Sequence, residues 1–167
     1  VNGLLIADIS PFVNENTSQS AYNQHLTILN AMLSINLSKI ESRAEAEVIL
    51  MEEIHSEKIR GFILKNLQRG SGNNFSWKLN TPALLNNLDK IMQGIDRNAA
   101  FSKQITGFPV IFLKGADSDY LPEGDYKDIL KVFPAAEFIV AENSGHWIHS
   151  DRPDEVIRSL RKLLGDS

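Results

Sequence analysis

Three short apolar runs decide what this chain can fold into. Leu4 to Ile9 is apolar except for Asp8, Val110 to Leu113 is apolar throughout, and Glu137 to Ala141 is centred on Phe138, Ile139 and Val140. A strand with one wet face alternates apolar and polar residues, whereas unbroken runs of this length suit strands covered on both faces, as in a parallel sheet. Between the second and third runs, Gly124 to Phe133 reads as a helix with Tyr126, Ile129, Leu130 and Phe133 on one side. Strand, helix, strand implies a right-handed crossover and parallel strands. A last helix is expected over 153–164, opened by Pro153 and carrying Val156, Ile157, Leu160, Leu163 and Leu164.

Residues 14 to 106 have another character, dominated by helical spacing. Tyr22, Leu26, Leu29 and Leu33 recur on one helix. Ser42 and Glu45 match a capping box ahead of a helix from Ala44 to Ile54, on which Val48, Met51 and Ile54 share a face. A further helix is expected from Glu57 to Gln68, striped by Ile59, Phe62, Ile63 and Leu67. Arg69 to Asn74 is a loop, and Phe75, Trp77 and Leu79 alternate with polar residues as an extended arm. Thr81 and Pro82 open a helix bearing Leu84, Leu85, Leu88, Ile91 and Met92. This block reads as a helical insertion, or lid, between two pieces of sheet, and its Met and aromatic stripes as helix-to-helix core.

The bulk properties narrow the function classes. A chain of 167 residues with 43% apolar content is one domain, or one domain with a small insert. Net charge is −4 and the basic residues are dispersed, so no nucleic-acid surface is expected. No apolar run approaches the roughly 18 residues that span a bilayer. With no cysteine there is no disulfide, thiol nucleophile or thiolate metal site. The chain opens Val1-Asn2-Gly3 and enters an apolar strand at once, so it is expected to start inside a longer fold. Leu4 to Ala7 would then pair with a missing N-terminal half or with another copy of the chain.

Polar groups fall at the carboxyl ends of all three strands: Asp8, the cluster Asp117-Ser118-Asp119, and His146 in Asn143-Ser144-Gly145-His146-Trp147. These ends converge on one side of a parallel sheet, where ligands collect. An imidazole works as a general base when a carboxylate holds its other ring nitrogen. By spacing alone, Asp8 reads more readily as a local cap of the turn at Ser10-Pro11. His146 and His149 lack a third ligand at motif spacing, so no metal site is expected. The glycines at 70 and 72 are expected to follow no strand, and no lysine, serine or threonine stands in register for a phosphate loop.

The second half, Pro-Val-Ile-Phe-Leu-Lys-Gly at 109–115, a helix, Asn-Ser-Gly-His-Trp at 143–147 and a Pro-initiated helix, resembles the end of an α/β-hydrolase. Asp8-Ile9-Ser10-Pro11 resembles the segment after strand six in a group of small bacterial and mitochondrial serine esterases, as do Gly-His-Trp-Ile-His and Asp-Arg-Pro. The resemblance covers nearly the whole chain, as the C-terminal part of that domain. It implies a partial α/β-hydrolase fold, about three parallel strands with flanking helices and a helical cap. Residues 1–12 and 107–167 would be core, and 13–106 the cap that shapes the acyl pocket. It implies His146 as catalytic base and Asp8 as acid. Ser118 stands where many relatives keep the acid and would support the pair, with Asp117 and Asp119 as fallback acids. No cofactor is implied; the substrate would be a small acyl ester, and the location intracellular, in cytoplasm or mitochondrion. The nucleophile elbow Gly-x-Ser-x-Gly occurs nowhere in the 167 residues. The chain is therefore expected to be inactive alone, and the competing reading is a non-catalytic interaction or scaffold module.

Overall fold

The computed structural model describes residues 1–12, 15–71 and 74–165, those at 15–18 by their backbone alone. The elements run β1 (Leu4–Ala7), α1 (Glu15–Ser34), α2 (Arg43–Met51), α3 (Glu57–Leu64), β2 (Leu67–Arg69), β3 (Phe75–Trp77), α4 (Thr81–Asn86), α5 (Leu88–Met92), α6 (Arg97–Phe101), β4 (Val110–Gly115), α7 (Tyr126–Val132), β5 (Ala136–Ala141), α8 (Ile148–Asp151) and α9 (Pro153–Leu164). They form two compact units, Val1–Thr17 with Gln93–Ser167, and Ser18–Met92.

The first unit is built on a parallel sheet in the order β1-β4-β5. Leu4 is in register with Val110, and Val110 with Ala136. All six residues of β4 are buried, which explains the unbroken apolar run. Because side chains alternate across a strand, Val110 and Phe112 join Phe12, Leu121, Ile129 and Val132 on one face. Leu113 joins Ala141 and Ile148 on the other, against which Leu5, Ile139 and Val156 pack. Helices therefore cover both faces, α7 on one and α8 and α9 on the other.

Three local expectations are corrected here. β1 stops at Ala7, because Asp8 turns left-handed with φ 50°, and Ile9 lies exposed beyond the strand. The helix expected from Gly124 is a 3-10 turn at Glu123–Asp125 followed by α7. In α9 the expected bounds hold, with Pro153 in the first turn and Gly165 closing it at φ 76°. However, Ile157, Leu160 and Leu164 stand exposed, since a three-stranded sheet offers a helix only a narrow face.

The second unit has its own core of Ala31, Met32, Ile35, Leu50, Ile63, Leu67 and Phe75 with their neighbours. Ser42 caps α2 by accepting from Glu45 N–H at 3.2 Å, and the Glu45 carboxylate reaches back to Glu41 N–H at 2.9 Å. Leu67 was expected on a helix, four residues after Ile63. It lies instead in β2, antiparallel to β3 and paired with Trp77, where burial is complete. On α2 the buried residues are Ala46 and Leu50, while Val48 and Met51 are 60% and 50% exposed. Leu33 on α1 is exposed too, its place in the core taken by Ala31, Met32 and Ile35. The helix expected from Thr81 is two, α4 and α5, and the Asn80 side chain, not Thr81, caps the first by accepting from Ala83 N–H at 3.1 Å. Gly72 and Asn73 of the glycine-rich loop lie outside the described residues. Among the described residues no helix is long and apolar enough to cross a membrane.

Candidate active site

The carboxyl ends of the three parallel strands carry the site. At the end of β1 the chain hands over to β4 through Asp8 N–H, which donates to Leu113 O at 2.7 Å. The left-handed backbone at Asp8 is one that aspartate tolerates better than most residues. It leaves the carboxylate fully buried, at 0% exposure.

A buried carboxylate is costly unless hydrogen-bonded, and this one accepts from three donors. Gly115 N–H donates to Oδ1 at 2.8 Å, and the Ser118 hydroxyl donates to Oδ2. The His146 ring meets Oδ2 through Nδ1 at 2.9 Å. A carboxylate can only accept, so Nδ1 carries the proton and Nε2 is the nitrogen left for proton transfer. The partners stand 107, 110 and 138 residues away in sequence. Asp8 is thus not the local turn cap that its spacing favoured. Ser10 takes that part, its hydroxyl accepting from Phe12 N–H at 3.1 Å. Asp117 and Asp119, the fallback acids, are exposed.

His146 follows β5 on a loop seated against the end of β4. Asp117 N–H donates to Ser144 O at 2.9 Å, and Ala116 N–H to Ala141 O at 3.0 Å. The fit needs a glycine at 115: a Cβ there would lie 2.3 Å from Gly145 O and 2.8 Å from Ser144 O. The loop is braced from the far side by Asp151, whose carboxylate accepts from Gly145 N–H at 3.3 Å. The side chain of His146 remains 38% exposed, so the ring is held on one edge and open to solvent elsewhere.

Residues that the sequence did not single out complete the surroundings. Lys114 is buried, with Nζ donating to Gly115 O at 3.1 Å and Ser118 O at 2.9 Å, which pins the loop carrying Ser118. Tyr120 stacks on the His146 ring, centroids 3.9 Å apart and planes 20° apart. Burial, and next the charge of Asp8, push the Tyr120 phenol above its ordinary value. Burial likewise raises Tyr126, helped by Glu123 and Asp8. Nothing in residue spacing signals a stacked ring or an ammonium folded back on its own strand. Among the described residues no group of three or more His, Asp or Glu is placed to hold a metal ion. His149 lies on the one-turn helix α8, whereas His146 precedes that helix.

A parallel sheet with helices on both faces, a helical insertion after its first strand, and an acid and a histidine on the strand ends define a partial α/β-hydrolase architecture. Proteins similar to the chain carry the names of esterases and a lipase. The structure of a marine microorganism esterase superposes with a TM-score of 0.85 at 32% identity, over 98% of this chain and 60% of that one. The sn-1-specific diacylglycerol lipase of Mus musculus is 30% identical over 98% of this chain and 51% of its own length. The esterase YbfF of Escherichia coli is 29% identical over 86% of this chain and 52% of its own. The chain thus spans about half the length of the curated relatives it matches. No family model matches it.

Proposed function

We propose that this chain supplies the acid, the base and a helical cap of a serine ester hydrolase. The observation that carries the reading is the fully buried Asp8 carboxylate, accepting from Gly115, Ser118 and His146 Nδ1 together. That arrangement fixes the tautomer and edge of an imidazole and offsets the positive charge it gains as a base. Similarity to esterases and a lipase supports an acyl ester as substrate. Residues 1–12 and 107–167 are assigned to the core and 13–106 to the cap.

The reaction needs a serine on an elbow segment outside these 167 residues, joining the sheet along the open edge of β1. His146 Nε2 takes the serine proton as the oxygen adds to the ester carbonyl. The imidazolium, stabilised by Asp8, then protonates the departing alcohol, leaving an acyl-enzyme. Water, deprotonated by the same nitrogen, releases the acid and restores the serine. Backbone amides beside the elbow would hold the oxyanion. Ser118 supports the acid and makes no contact with the acyl group in this scheme. No metal or organic cofactor enters it.

A second reading, a non-catalytic module, is favoured by one observation: the 167 residues contain no Gly-x-Ser-x-Gly. Hydrolysis of short p-nitrophenyl esters separates the two. The chain alone is expected to show none. A longer polypeptide containing both the chain and the elbow is expected to turn over, and to lose about 10⁴-fold or more on His146→Ala. Turnover that survives His146→Ala sinks the enzyme reading. An intact mass equal to these residues, with no turnover, leaves the module.

A further inference from the structure

The Nδ1 bond to Asp8 leaves one freedom of the imidazole unaccounted for. A single hydrogen bond holds an edge of the ring, not its plane, and the ring can rock about that bond while more than a third of its surface faces solvent. The Tyr120 ring lies on the face that would have to move, 3.9 Å away between centroids and 20° from parallel.

Tyr120 is itself held at both its backbone N–H and its C=O, by Ser118, which bonds the acid, and by Ser10. Its N–H donates to Ser118 Oγ at 3.3 Å, and that same hydroxyl donates to Asp8. Its C=O accepts from Ser10 N–H at 2.8 Å, two residues past Asp8. Ser10 in turn donates from its hydroxyl to buried Asp125 at 2.6 Å. The platform beneath the base is therefore fastened to the shell that holds the acid, so displacement of one carries the other. A phenol is neutral across the range in which an imidazole exchanges protons, and burial pushes this one further up.

We propose that Tyr120 is a positioning residue for His146: its ring fixes the plane in which Nδ1 stays on Asp8, and offers a π face to the imidazolium. The proposal rests on reading Asp8 and His146 as the acid–base pair. No part of Tyr120 is given a role in bond making or breaking.

The test is exchange of the His146 Nδ1 proton with water, followed by NMR on histidine-labelled protein. Tyr120→Phe keeps the ring and is expected to keep the wild-type rate. Tyr120→Leu removes it, and exchange is expected to quicken roughly 2- to 10-fold, the range an aromatic pair is worth. Tyr120→Met serves as a second ring-free variant should leucine lower the folded fraction. Exchange in the ring-free variants equal to wild type overturns the proposal, whatever their melting temperatures. Asp8→Asn separates the parent reading. A wild-type proton no better protected than in Asp8→Asn dismisses the acid–base pair and this proposal with it; a protected one that ignores the loss of the ring dismisses Tyr120 alone.

Discussion

Replacing Gly115 with alanine should misplace His146 without touching it. Gly115 carries no positive φ, so backbone freedom is not the reason for a glycine here. The reason is approach: a Cβ would sit 2.3 Å from Gly145 O and 2.8 Å from Ser144 O, where ordinary contact begins at 3.4 Å. Both obstacles are backbone atoms, so no side chain can swing aside. The loop must retreat by about 1 Å, a shift of the size that costs roughly 10²-fold when it displaces catalytic groups. It would stretch the 2.9 Å contact between His146 Nδ1 and Asp8 and the 2.9 Å bond from Asp117 N–H to Ser144 O. Overpacking of this kind destabilises by about 1–3 kcal/mol. Urea unfolding of Gly115→Ala should show a lowered midpoint with an unchanged slope, and the His146 Nδ1 proton should lose protection. An alanine variant as stable as wild type, with that proton still protected, would refute the close-approach argument.

Two further outcomes follow from the site. Ser118→Ala deletes a charge-assisted bond to a buried carboxylate and the acceptor for Tyr120 N–H, so urea unfolding should report a loss of about 1.5–3 kcal/mol; a loss under about 0.5 kcal/mol would contradict it. The protein has three tyrosines, and all are raised above the ordinary 10.0: Tyr22 by its hydrogen bond with Asp89, Tyr120 and Tyr126 first by burial. Above pH 10 the folded state therefore holds protons that the unfolded state has released, and stability present below that value is lost as pH rises. Near-ultraviolet titration should show tyrosinate forming later in folded than in denatured protein, and coincident curves would count against the environments described.

The parallel sheet was legible because its central strand is buried on both faces and had to be written as an unbroken apolar run, Val110 to Leu113. Helix α9 was legible because Pro153 opens it and apolar residues follow at helical spacing; Gly165, which closes it, gave no part of that reading. Periodicity misled where tertiary pairing overrode it. Leu67 fits the stripe of Ile59 and Ile63, yet pairing with Trp77 buries it in a strand. Val48 and Met51 share a helical face, but Ala46 and Leu50 are the side that packs. At the site, a resemblance brought Asp8 to His146 across 138 residues, which spacing alone could not do. Gly115 as a donor and Tyr120 as a platform are not legible in the sequence, because backbone amides and ring faces leave no mark in residue type.

The proposed function makes Asp8 and His146 one unit acting on an ester. Its most direct measurement is a double-mutant cycle on p-nitrophenyl ester hydrolysis, with Asp8→Ala, His146→Ala and the pair, each in the longest polypeptide that contains these residues. An acid that works only through the base predicts strong non-additivity: the double variant should be no slower than His146→Ala alone. Additive losses, or an Asp8→Ala variant with wild-type kcat, would contradict it.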